Sequence, residues 1–139
     1  MDFYDKFGTA AVYAKANYLI TWEGKPVALI SRNALFSMRG THIGFISSGW
    51  IRDRHGDAIA CAPTRRGVGP MTPIRAVPPA KAIAATPPTP EFLPDAPEMP
   101  KPRSSWSAIS IADFFEDRPA RGGRLNSILP WPAGGPRPA

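Results

Sequence analysis

The sequence holds one cysteine, two histidines and no long apolar run, and these shortages exclude several classes of protein. Because Cys61 is alone, no disulfide forms within the chain, which suits a reducing compartment. No apolar run approaches the ~18 residues that cross a bilayer, and residues 1–5 lack the basic and apolar regions of a signal peptide. We therefore expect a cytoplasmic protein that makes no membrane contact.

The same shortages weigh against metal and catalytic chemistry. His42, His55 and Cys61 are the strong metal-ligand types here besides carboxylates, and they lack Cys-x-x-Cys or His-x3-His spacing. No serine lies in a Gly-x-Ser-x-Gly elbow. The sequence therefore predicts no cofactor, no metal site and no catalytic site. A small enzyme that uses Cys61 or the histidines is the third-ranked function.

Proline is almost absent from the first half of the chain and abundant in the second. Of the 18 prolines, only Pro26 precedes Pro63. Proline cannot donate to a strand ladder and it interrupts helices. A segment this rich in proline buries too little apolar surface to offset the entropy cost of ordering. The chain therefore divides into an ordered first half and a largely disordered second half.

The net charge of +6 is spread over both halves without a run of like charge. A basic balance permits weak binding to anions, but it does not by itself predict a nucleic-acid-binding protein. One basic group stands out beside Trp50, and a nucleic-acid or anionic-polymer surface built on it is the second-ranked function. Its members are Arg52, Arg54, Arg65 and Arg66.

Four glycines recur at a fixed interval of 16 residues, at positions 8, 24, 40 and 56. A short hydrogen-bonding residue precedes each glycine by three positions, which is the signature of a type I turn followed by a glycine bulge. These residues are Asp5, Thr21, Ser37 and Asp53. The repeat therefore predicts four tandem β-hairpins within residues 3–62, each with strands of about five residues.

Apolar residues recur in the same register. Five residues before each glycine stand Phe3, Leu19, Leu35 and Ile51, and four residues after it stand Val12, Ala28, Gly44 and Ala60. The second strand of each hairpin is apolar on both faces, so we expect it to be buried on both sides. One such hairpin is unstable alone. We therefore predict an all-β, pseudo-four-fold arrangement without free edges. Because about 60 residues bury little surface as a monomer, a homo-oligomer is an open alternative.

Three of these segments resemble the bacterial 4-fold beta flower protein family. They are residues 18–30 (YLITWEGKPVALI), 40–45 (GTHIGF) and 49–56 (GWIRDRHG). The resemblance covers residues 3 to about 62 and extends to Trp106 and the Phe114-Phe115 pair. It implies four hairpins arranged as petals around a pseudo-four-fold axis. It implies no established activity, so no functional residue is carried over.

After a β-flower domain at residues 1–62, the sequence predicts three further segments. Residues 63–104 are expected to be a proline-rich disordered linker that acts as a stiff spacer. Residues 105–117 contain a short helix that Ser110 caps, and it needs a surface to dock on, either its own β unit or another protein. Residues 118–139 are expected to be a disordered tail.

The hairpin turns carry large apolar side chains that a plain turn does not need. An exposed ring of Phe7, Trp22 and Met38 would be an apolar patch, and such patches mark contacts. The candidate interface residues, with the aromatic residues of the docking segment, are Phe7, Trp22, Met38, Trp106, Phe114 and Phe115. The leading prediction is a non-catalytic β-repeat interaction or scaffold module, whose partner is its own C-terminal segment or another protein.

Overall fold

The computed structural model of the chain describes residues 1–87 and 93–116, and these contain eight β-strands and one short helix. The strands are β1 (Asp2–Tyr4), β2 (Ala10–Lys15), β3 (Tyr18–Thr21), β4 (Pro26–Ser31), β5 (Ala34–Ser37), β6 (His42–Ser47), β7 (Trp50–Asp53) and β8 (Ala58–Cys61), and the helix is α1 (Ile111–Phe115). The predicted disordered tail, residues 118–139, lies outside the described residues.

The strands form one closed barrel in which each strand pairs antiparallel with the next. Pairing of Tyr4 on β1 with Cys61 on β8 completes the ring. Closure leaves the barrel without an open strand edge, which removes the main route to edge-to-edge aggregation. The predicted all-β fold of four hairpins is confirmed. We call each hairpin a petal and its glycine turn the petal tip.

Each petal tip is a type I turn that ends at a glycine in the left-handed region. The glycine amide donates to the carbonyl three residues earlier at 2.8–3.2 Å in all four tips, and the glycine φ lies between 81° and 95°. The side chain that opens each turn accepts backbone N–H groups, as Asp53 does from His55 and Asp57. A register shift recurs at the same place in every petal. The predicted bulged hairpins are therefore present.

The turns between petals differ in detail from the prediction. Ala16, Arg32 and Ser48, again 16 residues apart, have φ of 54–57°. They immediately precede Asn17, Asn33 and Gly49, which the sequence predicts for this conformation because Asn and Gly tolerate positive φ; of these three, Gly49 adopts it, with φ of 81°. Left-handed backbone costs an ordinary residue about 1–2 kcal/mol. The closely paired strands on both sides of each two-residue loop hold it there.

Side chains fill the interior of the barrel, as expected for eight strands. The position five residues before each tip glycine is fully buried in every petal, at Phe3, Leu19, Leu35 and Ile51. Phe114 and Phe115 of α1 belong to the same core cluster. At Gly44, a Cβ would lie 2.7 Å from the Phe114 ring, so glycine is needed where the helix enters. The core is thus completed from outside the hairpins.

The segment predicted as a disordered spacer instead lies along the outside of the barrel. We call residues 63–87 and 93–110 the strap. They form no helix or strand in the described parts, apart from a single bridge between Trp106 and Ala58. Backbone hydrogen bonds join the strap to three tip glycines, through Ala76 to Gly8, Ala85 to Gly24 and Arg103 to Gly56. The spacer prediction was wrong because extended chain can be held by isolated bonds to the barrel, without any regular element of its own.

A nine-residue interval in the strap matches the petals. The donors at positions 76, 85 and 103 are nine and eighteen residues apart, and prolines recur at positions 70, 79, 88 and 97. The position that this interval assigns to the third tip, 94, is a proline and has no N–H to donate. The strap is therefore a second, shorter repeat that follows the repeat of the barrel.

Candidate functional site

The petal tips do not form the ring of exposed apolar side chains that the sequence predicted. Phe7 at the first tip is 74% exposed, but Trp22 at the second is 6% exposed. The strap covers Trp22, whose Nε1 donates to the Pro79 carbonyl at 2.9 Å. Tyr13 packs edge-on against the indole at 5.7 Å. The prediction of an exposed Trp22 was wrong because the strap passes over this petal.

Met38 at the third tip is half-buried. It packs at the edge of an apolar cluster on the outer face of the barrel that also contains Leu29, Phe36 and the strap residue Leu93. Met38 therefore contributes to attaching the strap, and Phe7 is the predicted tip residue that stands in solvent.

The aromatic residues of the C-terminal segment pack within this chain. Phe114 and Phe115 are buried in the barrel core, where they are 4% and 8% exposed. Trp106 is half-buried against Trp50, with the ring centroids 6.2 Å apart, and its Nε1 donates to the Met71 carbonyl. Helix α1 lies at the tip end of the barrel, where Arg39 donates to the carbonyl of its C-cap residue.

The four arginines of the second-ranked function do not share one surface. Arg54 is exposed at the fourth tip. Arg65 contacts Gly49 in the turn before β7, and Arg66 is the next residue after Arg65. Arg52 is 3% exposed, which contradicts its prediction as an anion-binding residue. Its guanidinium donates to the carbonyls of Gly56 at 2.8 Å, Arg103 at 3.0 Å and Val68. Burial lowers the pKa of Arg52, and the nearby aspartates oppose that shift.

Cys61 is buried on β8 in an apolar cluster with Trp50, Ala58 and the strap residue Trp106. Burial raises the pKa of the Cys61 thiol, so the thiol form is favoured over the nucleophilic thiolate. His42 lies elsewhere, between Phe36 and Phe45, and His55 is exposed at the fourth tip. Cys61 and the two histidines therefore lie in different places and do not form a common site.

Two further searches concern metals and membranes. Within residues 1–87 and 93–116, no three His, Cys, Asp or Glu side chains are placed to hold a metal ion together. In the same part of the chain, no helix combines the length and apolar character needed to cross a membrane.

We expect the stability of the barrel to depend on pH through His42. Its Nε2 is buried without a hydrogen-bond partner, and its ring lies 4.8 Å from that of Phe45. Burial lowers its pKa from the ordinary 6.5; Arg54 adds to this shift and a backbone hydrogen bond with Gly44 opposes it. As the pH falls below 6.5, His42 therefore binds a proton in the unfolded chain before it does so in the folded protein. The free energy of unfolding decreases as the pH falls, until the pH reaches the pKa of His42 in the folded protein.

We expect His42→Phe to remove this dependence. Urea unfolding at a series of pH values measures it, as the difference in unfolding free energy between wild type and variant. The wild type should lose stability relative to the variant as pH falls through 6.5. If the difference in unfolding free energy between the two proteins stayed constant across this range, His42 would have the same pKa in the folded and the unfolded state.

An apolar groove lies beside the first tip. It has a volume of about 300 Å³, and Phe7 and Lys6 stand at one side of it. Its apolar lining comes from β8 and from the strap as it turns into α1: Ala58, Ile59, Trp106, Ala108, Ile109 and Ile111. Phe7 could be predicted from the sequence but the groove could not, because the strap supplies half of its wall.

A larger cavity of about 630 Å³ lies between the turn at residues 31–34 and the strap at residues 93–99. Its lining includes Leu93, which directly follows residues 88–92 in the sequence, and those five residues lie outside the described part of the chain. The groove at the first tip is lined throughout by described residues and is the better candidate.

The fold defines a class: closed barrels of four β-hairpins that are bound and filled by their own C-terminal segment. The chain matches the family model described as 4-fold beta flower protein over residues 1–115, and it belongs to that family. The match covers the strap and α1 as well as the hairpins, which confirms the predicted family. No curated protein and no solved structure matches the chain.

Proposed function

We propose that this protein is a non-catalytic interaction module whose groove beside the first petal tip binds a short apolar segment of another protein. One observation carries the proposal. The residue before each tip glycine is exposed in all four petals, at Phe7, Glu23, Arg39 and His55. Three petals place a polar side chain in solvent at this position, and the first petal places an aromatic ring there. The other three petals thus serve as the comparison for the first, and the first tip differs from them in exposing an apolar side chain.

The surroundings of Phe7 support a binding role. A single exposed apolar side chain is common on protein surfaces and needs no explanation. Phe7, however, borders the apolar groove, whose volume of about 300 Å³ reaches the lower end of the range for ligand sites. An aromatic side chain that becomes buried when a partner binds is the usual centre of a protein interface.

The serine hydroxyls and the carboxylate that line the groove make hydrogen bonds that hold the structure together. The Ser107 hydroxyl donates to Asp53 at 2.6 Å and accepts the Ile109 amide. The Ser110 hydroxyl caps α1 by accepting the Asp113 amide. Asp5 accepts two amides within its own turn. These hydroxyls and this carboxylate are therefore committed to structural bonds, which favours binding over catalysis.

A peptide selection tests this function. Random peptides displayed on phage would be selected on the full chain, and the enriched peptides then synthesised and titrated. We expect the enriched peptides to share apolar or aromatic residues. Phe7→Ser should weaken their binding by about tenfold or more, because it removes the anchor of the site.

Glu23→Ser provides the matched control, since it makes the equivalent change at the second tip. It should leave the affinity unchanged. Selection without enrichment, or equal loss of affinity in both variants, would contradict the proposed site.

A further inference from the structure

The strap exposes a row of large apolar side chains. Val68 is 53% exposed and Met71, Ile74, Val77 and Ile83 are 93–97% exposed. The first four are spaced by three residues, and Ile83 follows Val77 by twice that interval. All five lie in a part of the strap without helix or strand, and their side chains stand in solvent. We call these five residues the strap stripe.

The strap stripe is the main exposed apolar surface of the described chain. Seven large hydrophobic residues there are exposed, and five of them belong to the stripe. The backbone around them is fixed, since Ala76 bonds to Gly8 and Ala85 to Gly24. Apolar side chains held in solvent by a fixed backbone mark a contact surface.

Within the strap, the charged side chains beside the strap stripe are all basic. Arg65, Arg66, Arg75 and Lys81 lie along it, and the sequence has no Asp or Glu from residue 58 to residue 90. Lys81 pairs with Asp2 at 2.8 Å. Arg65 and Arg75 lie over aromatic rings of the barrel, which leaves their charge in place. The surface therefore combines protruding apolar side chains with a basic field.

We infer that the strap stripe docks on an anionic membrane surface. The apolar side chains of the stripe enter the region between the headgroups, and the neighbouring arginines of the strap contact the lipid phosphates and carboxylates. Interfacial segments with an apolar face beside Lys and Arg bind anionic lipids in this way. This contact lies on the surface and needs no spanning helix; it departs from the sequence-based expectation of no membrane contact and goes beyond the proposed groove.

Two other occupants fit less well. A second copy docked through the same stripe would bring two basic straps together, and like charges facing each other oppose association. An acidic protein would satisfy the charge, but protein partners usually receive apolar anchors in pockets and present a shaped surface. The stripe residues instead protrude from a narrow strap, with almost the whole side chain in solvent. A soft interface accommodates that shape best.

Cosedimentation of the full chain with vesicles tests the inference. We expect binding to phosphatidylcholine vesicles that contain phosphatidylserine, and little binding to pure phosphatidylcholine. Added salt should weaken the binding by screening. Ile74→Ser combined with Ile83→Ser should weaken the binding by at least about tenfold, because two apolar side chains that the membrane would bury are lost. Both residues are almost fully exposed, so thermal unfolding should be unchanged.

Ile74→Leu combined with Ile83→Leu is the matched control and should bind as the wild type does. Absence of wild-type binding to the anionic vesicles would overturn the inference, as would equal binding by the serine variant. A dimer in sedimentation velocity that the serine variant abolishes, without vesicle binding, would assign the stripe to a second copy. Binding to polyglutamate but not to vesicles would assign it to an acidic protein.

Discussion

Phe114→Ala is expected to lower the free energy of unfolding by about 3–5 kcal/mol, the usual range for a buried phenylalanine. The ring is 4% exposed and belongs to the cluster that fills the barrel. Gly44 on β6 lies against its edge, so the barrel wall is shaped to receive it. Removal of the ring leaves a cavity between hairpins that contact each other mainly through short strands. Urea unfolding followed by tryptophan fluorescence measures the loss.

Phe7→Ala is the matched control, because it makes the same chemical change at an exposed ring. It should alter stability by less than about 0.5 kcal/mol. Similar effects of the two substitutions would mean that α1 is not part of the core in solution. In that case the helix would be free to dock elsewhere, and the closed arrangement of barrel, strap and helix would fail.

The hairpins could be predicted from the sequence because their information is local. Each tip glycine and the polar residue three positions before it specify the turn, and the turn sets the register of the two strands beside it. The chemistry of one tip repeats in the others, so agreement between petals replaces the evidence that a single hairpin lacks. For the same reason the closed, pseudo-four-fold barrel followed from the four equal units.

The strap could not be predicted by the same reasoning. Its bonds to the barrel are isolated ones, such as the backbone bonds to Gly8, Gly24 and Gly56 and the side-chain bonds from Trp22 and Arg52, and such bonds leave no helical or strand periodicity. Proline content was taken as a sign of disorder, which is its usual meaning. The signal that could have revealed the strap is the spacing of its prolines, at nine-residue intervals from Pro70 to Pro97. Four equally spaced prolines beside four petals indicate a shared symmetry.

The errors at Trp22 and Arg52 have a common physical source. Both residues lie on the outer face of the barrel, which is solvent in an isolated ring of hairpins and interior once the strap is in place. For Arg52 the sequence did carry a signal. The residues at the same position in the other petals are Tyr4, Ile20 and Phe36, and all three are buried. An arginine in such a column is more naturally interpreted as a buried anchor than as an exposed anion site.

Arg52→Met is accordingly expected to lower the free energy of unfolding by about 3 kcal/mol or more. The Val68 and Arg103 carbonyls lose their bonds to the guanidinium. Each buried polar group left without a partner costs about 1–3 kcal/mol. The Gly56 carbonyl keeps the amide of Arg103 and suffers less. Arg52→Lys should recover only part of the loss, because an ammonium group lacks the planar fork that reaches several carbonyls.

The position of these carbonyls makes the effect regional as well as global. Val68 and Arg103 belong to two distant parts of the strap, and Arg52 ties both to the fourth petal. Hydrogen exchange should therefore rise first in the strap around these residues, and limited proteolysis should cleave it there before the barrel unfolds. Arg54→Met is the matched control: it removes an exposed arginine two residues away, and we expect a change within about 0.5 kcal/mol. Equal stability of the two variants, with an unchanged exchange pattern in the strap, would mean that the barrel stands without its strap.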